Sequence, residues 1–270
     1  MSNLIGRQAL ASLRSWFDRY VDSFMNGDPA RDCAIRLKRD HTDRVCREIV
    51  GLARSLSLPD DRQVLAETAA LFHDVGRFEQ FARWGTYLDA RSEDHAALGV
   101  EVLERHRPLD TLDPAARRLV TSAVRLHNRI EIPAHESDDC KLVTRLVRDA
   151  DKLDIWDLAL RYYCHEPGDW NEAIELELPD VPRISDEVFA GVMDRRMPRM
   201  RAVKTLGDFK IIQMGWVFDL NFDLSFELVA RRGYLERLRG TLFRSDRVER
   251  VFGVVRTFVE ERRPGGCRPD

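Results

Sequence analysis

Cysteine is scarce in this chain, and nowhere is it paired by spacing. The five residues, Cys33, Cys46, Cys140, Cys164 and Cys267, are odd in number, scattered and without a C-x-x-C. That pattern suits free thiols in a reducing compartment rather than a disulfide framework or a thiolate zinc site. Long apolar runs are missing as well. No stretch of about 18 uncharged apolar residues occurs, so no transmembrane span is expected. Residues Met1 to Arg7 lack the apolar core of a secretory signal, so a cytoplasmic protein is expected. Charge of one sign is not in excess either: 43 Lys and Arg against 46 Asp and Glu leave a net charge of −3. With no overall basic field, duplex nucleic acid and anionic membranes are not the expected partners, although a few local cations could hold a small anion. Convincing alternation with hairpin turns, internal repeats and low-complexity tracts are also absent.

What remains is helical. The 270 residues, 44% hydrophobic and 33% charged, can bury the core of one large domain or two small ones. Residues 3–26 read as an amphipathic helix with Leu10, Leu13, Trp16, Phe17 and Tyr20 on one side, stopping at Gly27-Asp28-Pro29. A second helix spans about Arg31 to Leu56, and a third about 61–75, ended by Gly76. An aromatic-rich stretch at 78–91 (Phe78, Phe81, Trp84, Tyr87) reads as an irregular loop. It could stack a nucleobase, but packing is the expected role. Ser92 is the expected cap of a fourth helix through Arg105. Asp113-Pro114 starts a fifth, ending near Asn128, and a sixth covers about 139–164. The segment 166–184, with Pro167, Gly168, Pro179 and Pro182, is the expected linker between a domain at 1–165 and a C-terminal helical extension at 185–263 packed on it. Ser185 and Ser245 are expected caps there. Arg262 to Gly266 reads as a frayed tail. The fold class is all-α.

Against this background His73-Asp74, at the end of an apolar run, stands out. A buried imidazole and a buried carboxylate each need a partner, and a metal ion satisfies both. Three further histidines lie on apolar stripes: His41 with Leu37, Val45 and Leu52, His95 with Gly99 and Val102, and His127 with Val120 and Val124. The i, i+3, i+4, i+7 spacing turns all four rings inward. One inward histidine is an ordinary core residue. Four in one core point to a shared metal, since each neutral ring needs both a donor and an acceptor partner. The sixth helix adds Asp149, Asp151 and Asp154 on an otherwise apolar surface. Helical angles place Asp149 and Asp151 almost symmetrically about the polar face and do not choose between them.

The order His41, then His73-Asp74, then Ala150-Asp151-Lys152-Leu153 resembles the signature of the His-Asp (HD) superfamily of metal-dependent phosphohydrolases, over roughly residues 35–160. The resemblance implies a helical bundle with metal held between helices, and it selects Asp151 as the last ligand, with Asp149 as runner-up. His95, in Asp94-His95-Ala96-Ala97-Leu98-Gly99, and His127, in Leu126-His127-Asn128, resemble the additional histidines of dinuclear members. The tail from about 185 resembles the C-terminal part of a bacterial subset of HD proteins, without distinct chemistry.

A ligand set of His41, His73, Asp74, His95, His127 and Asp151 suits two divalent ions (Mn, Fe, Co, Ni, Zn or Mg) bridged by Asp74. Two such ions against two carboxylates leave a local charge of about +2, favouring activated water and an anionic substrate. The implied activity is hydrolysis of a phosphoester of a nucleotide or another small phosphorylated metabolite. Asp74 would be catalytic, and Arg77 and Lys152 would supply cations for the phosphate oxygens. The alternative is an HD-type diiron oxygenase oxidising a small substrate with O2, because the same ligands hold iron equally well. His106, His135 and His165 read as surface or loop residues.

Overall fold

The structure is a computed structural model that describes residues 5–164, 178–263 and 265. Most of the expected linker, together with His165, Pro264, Gly266 and Cys267, lies outside the described residues. Those described are helical, with no strand among them. The protein is all-α, as its periodicity indicates. Two compact units divide the chain at Asp154 and Ile155.

The first unit holds α1 (Arg7–Asp22), α2 (Pro29–Ser55), α3 (Asp60–Phe72), α4 (Val75–Trp84), α5 (His95–His106), α6 (Pro114–Leu126) and the first part of α7 (Asp138–Tyr163). Helix α3 lies at its centre, against α1, α2 and α6, while α5 packs on α4 and α6. The boundaries follow local chemistry. Asp28 and Asp113 cap α2 and α6 through the amides of Arg31 and Ala115, each with proline just inside the helix, where its missing N–H costs nothing.

Four local expectations are overturned. The third helix stops at Phe72, and a separate helix, α4, covers much of the expected aromatic loop. Gly76 does not end a helix. It sits inside α4, where an added Cβ would lie 2.3 Å from the His95 carbonyl oxygen and 2.5 Å from the Gly99 nitrogen. Its lack of a side chain serves the close approach of α4 to α5. The left-handed turn occurs instead at Gly85, φ 66°, which ends α4. The aromatic residues pack: Phe78 is buried against Phe17, and Phe81 stacks on Tyr87 at 4.7 Å. The cap of α5 is Asp94, which accepts from the amides of Ala96 and Ala97. Ser92 instead receives a hydrogen bond from Gln80. The first helix is also shorter than its pattern, beginning at Arg7 and ending at Asp22.

The second unit begins within α7 and holds α8 (Asp186–Met193), α9 (Leu206–Gly215), α10 (Asp223–Arg231), α11 (Tyr234–Gly240) and α12 (Asp246–Arg262). Helix α12 packs against the other four. Ser245 caps it through the amide of Val248. Ser185 also occupies a cap position, but its hydroxyl donates to the buried Asp208. Trp156, fully buried, donates its indole N–H to the Gln213 carbonyl at 2.9 Å.

Candidate metal centre

The break between α3 and α4 places the His-Asp pair. His73 closes α3, and Asp74, at φ −105° and ψ 16°, leaves helical geometry before α4 begins. In a continuous helix neighbouring side chains diverge by about 100°. The break lets both face one centre. His41 comes from the middle of α2, His95 from the first residue of α5, His127 from the C-cap of α6 and Asp151 from α7.

The structure brings all six together. Asp74 stands between two imidazole pairs, one on each carboxylate oxygen. Its Oδ2 lies 3.7 Å from His41 Nε2 and 3.6 Å from His73 Nε2, and its Oδ1 lies 3.5 Å from His95 Nε2 and 3.7 Å from His127 Nε2. Asp151 Oδ1 joins the first pair, 3.1 Å from His41 Nε2 and 3.6 Å from His73 Nε2. Two groups result, His41–His73–Asp151 and Asp74–His95–His127. The histidines and Asp74 are buried, and Asp151 is the most open, with 21% of its side chain exposed.

Hydrogen bonds on the far side of each ring settle the tautomers. The Nδ1–H groups of His73 and His127 donate to the carbonyls of Ala70 and Val124, both at 2.7 Å. Those of His41 and His95 donate to Asp154 Oδ2 at 2.6 Å and Asp89 Oδ2 at 2.7 Å. In the neutral rings all four Nε2 atoms therefore carry lone pairs. Those of His41 and His73 are buried without a hydrogen-bond partner among the described residues. The Nε2 atoms of His95 and His127 face each other at 3.0 Å, where two lone pairs repel unless a cation lies between them. A buried polar atom left unsatisfied costs about 1–3 kcal/mol, and this donor set fits divalent cations.

The electrostatics agree. Burial alone would raise the carboxyl of Asp74, yet Lys38, His73, His127 and Arg77 hold it well below its ordinary value. Asp151, likewise opposed by burial, is held well below its own by His41 and His73. Burial works against charging His73, but Asp74 and Asp151 still raise its pKa above the ordinary imidazole value. Burial, reinforced by Arg77, pushes His95 down to about 4 and keeps it a neutral donor of its Nε2 lone pair. Protons thus compete with metal for the His73 side. Metal uptake at about pH 6 should be weaker than at about pH 8, as equilibrium titration at both values would measure.

The centre also has a cation that the sequence reading did not name. Arg77 donates through Nη1 to Gln80 Oε1 at 2.9 Å, to Asp89 Oδ1 at 2.7 Å and to the Tyr87 carbonyl, while its Nε lies 3.5 Å from Asp74 Oδ1. Lys152 is buried on α7 beside Asp151 in sequence. The lysine within hydrogen-bonding distance of Asp74 is Lys38, with Nζ 2.7 Å from Oδ2. Sequence reasoning passed over Lys38, although its place one helical turn before His41 puts it on the same face. Asp154, held by Arg44, was visible only as one of three unexplained carboxylates. Asp89 gave no signal. Asp149, the runner-up ligand, is buried on α7 and belongs to neither group. His106 and His135 are exposed.

A comparison with curated proteins finds no match, and neither does a comparison with solved structures. A family model does match: that of the HD domain, over residues 39–156. All six clustered side chains, from His41 to Asp151, lie inside that span. Residues 39–156 of this chain therefore belong to the HD domain family, a superfamily of metal-dependent phosphohydrolases.

Proposed function

We propose that the six side chains hold two divalent metal ions bridged by Asp74, and that the protein hydrolyses a phosphoester of a small phosphorylated molecule, with nucleotides among the candidates. The observation carrying this reading is the division of Asp74, whose two oxygens each serve a separate imidazole pair with all Nε2 lone pairs turned inward. Divalent cations held there would activate water and neutralise the non-bridging oxygens of a phosphoester.

The protein's own groups supply the rest. The carbonyl and carboxylate acceptors hold the four rings in the tautomer that presents Nε2. Lys38, whose side chain keeps 19% of its surface exposed, brings an ammonium group to the same centre and is suited to a phosphate oxygen. Arg77 adds a second positive charge beside Asp74, fixed in place by its other hydrogen bonds. Lys152 remains a third cation next to Asp151 in the chain. Asp151, with 21% of its side chain exposed, marks the side from which a substrate would approach.

Elemental analysis of the reconstituted protein should return two divalent ions per chain, and a panel of nucleotides and sugar phosphates should yield inorganic phosphate in a metal-dependent way. One ion per chain at any concentration, or no phosphate from any ester, would count against the reading. Two irons with substrate-dependent oxygen consumption would replace it with the oxygenase. Metal removal should also be visible in stability. Ligands binding only the folded chain stabilise it by about 2.7 kcal/mol at a hundredfold excess over Kd, so chelator should lower Tm by several degrees in a calorimetric scan.

A further inference from the structure

Each group of the centre has one imidazole oriented by a backbone carbonyl within its own helical turn and one oriented by a carboxylate, but the two carboxylates are built differently. Asp154, behind His41, lies on α7 with 3% of its side chain exposed, and Arg44 binds it through Nε at 2.5 Å and Nη2 at 3.1 Å. Asp89, behind His95, lies in a short 3-10 turn, Asp89–Arg91, in the connector between α4 and α5, with 35% of its side chain exposed.

The connector is held onto α4 by two side chains. Asp89 Oδ1 accepts from Arg77 Nη1 at 2.7 Å and from Gln80 Nε2 at 2.9 Å. The fully buried Gln80 also donates to Ser92 Oγ and to the Glu93 carbonyl, both at 2.8 Å, while Arg77 donates to the Tyr87 carbonyl. The orientation of His95 thus depends on a connector, whereas that of His41 depends on contact between two long helices. His127, bonded to Val124 within α6, does not share this dependence.

We propose that the two metal positions are unequal, and that Asp89, held by Arg77 and Gln80, is the positioning residue that sets affinity at the Asp74–His95–His127 position and leaves the other untouched. This inference rests on the two-metal reading above. A carboxylate behind a ligand histidine fixes the ring and raises its basicity, an effect worth roughly 10–100-fold in metal affinity. Where that carboxylate rides on a partly exposed connector, water screens it and local opening of the connector releases it. The His95 position is therefore the weaker of the two.

The test is calorimetric titration of the metal-stripped full chain with Mn2+ alone, at about pH 8, where unperturbed imidazoles are neutral. Wild type should show two steps of different affinity. Asp89→Asn keeps the shape but presents an amide to two donors. It should weaken the weaker step by roughly 10–100-fold and shift the tighter one by less than about threefold. Gln80→Ala, which touches no proposed ligand, should weaken the same step to a smaller degree, and it carries the test if Asp89→Asn does not fold. Asp154→Asn should act on the tighter step. A purely structural role for Asp89 would lower both steps together; that result, or an unchanged weaker step, overturns the inference while leaving two metals in place. Wild type taking up one Mn2+ or none would overturn the two-metal reading and this inference with it.

Discussion

Asp74→Ala should lose both metals and the activity in a single step. No other side chain of the centre faces both imidazole pairs: Oδ2 serves His41 and His73, and Oδ1 serves His95 and His127. Removing the carboxylate leaves each position without its shared anion. Metal assistance of this kind supplies several kcal/mol of transition-state stabilisation. At 1.36 kcal/mol per decade, turnover should fall by about a thousandfold or more. The fold should survive, because the change removes a buried charge and Lys38 can turn its ammonium to water. Circular dichroism would show an intact helical spectrum, elemental analysis an empty protein, and thermal scans no rise in Tm on adding metal. Retention of two ions by this variant would show that Asp74 is not the bridge.

Gly76→Ala should be the most damaging single methyl group in the first unit. The atoms it would meet, the His95 carbonyl oxygen at 2.3 Å and the Gly99 nitrogen at 2.5 Å, are both backbone. No rotamer change relieves the overlap, so α4 and α5 must move apart. Overpacking typically costs 1–3 kcal/mol and occasionally more; about 3 kcal/mol is expected here. For a protein of this size Tm would fall on the order of 10 °C. Because the displaced carbonyl belongs to His95, uptake of the second metal should suffer as well. Gly51→Ala is the matched control. It lies on α2 with nothing within 4 Å of the added Cβ, and helix propensity makes it neutral or stabilising by up to about 1 kcal/mol. If Gly76→Ala melted with wild type, the close approach of α4 and α5 would not be tight.

Much of the centre was legible before any coordinates because its parts are local. Four histidines on apolar stripes, a His-Asp pair at the end of an apolar run and three aspartates on one helix are patterns within single elements. The structure brings the six named residues together. The helical character and the caps at Asp113 and Ser245 were local in the same sense. The helix α4 was not read. Gly76 and the aromatic run look like loop chemistry, and only the proximity of α5 shows that this glycine serves packing rather than a turn.

The sequence by itself determined the helical class and which side chains turn inward, since a 3.6-residue period relates every position to its own neighbours on one face. Tertiary structure alone decided what those side chains meet. His41 and Asp154 are 113 residues apart and Arg77 and Asp89 are joined across a turn, and no period relates partners on different elements. For the same reason the choice between Asp149 and Asp151 stayed a tie on the helix and was broken by the position of α7 against His41 and His73. The lysine on Asp74 likewise came from α2, because the packing of that helix, and not distance along the chain, sets which ammonium group reaches the carboxylate.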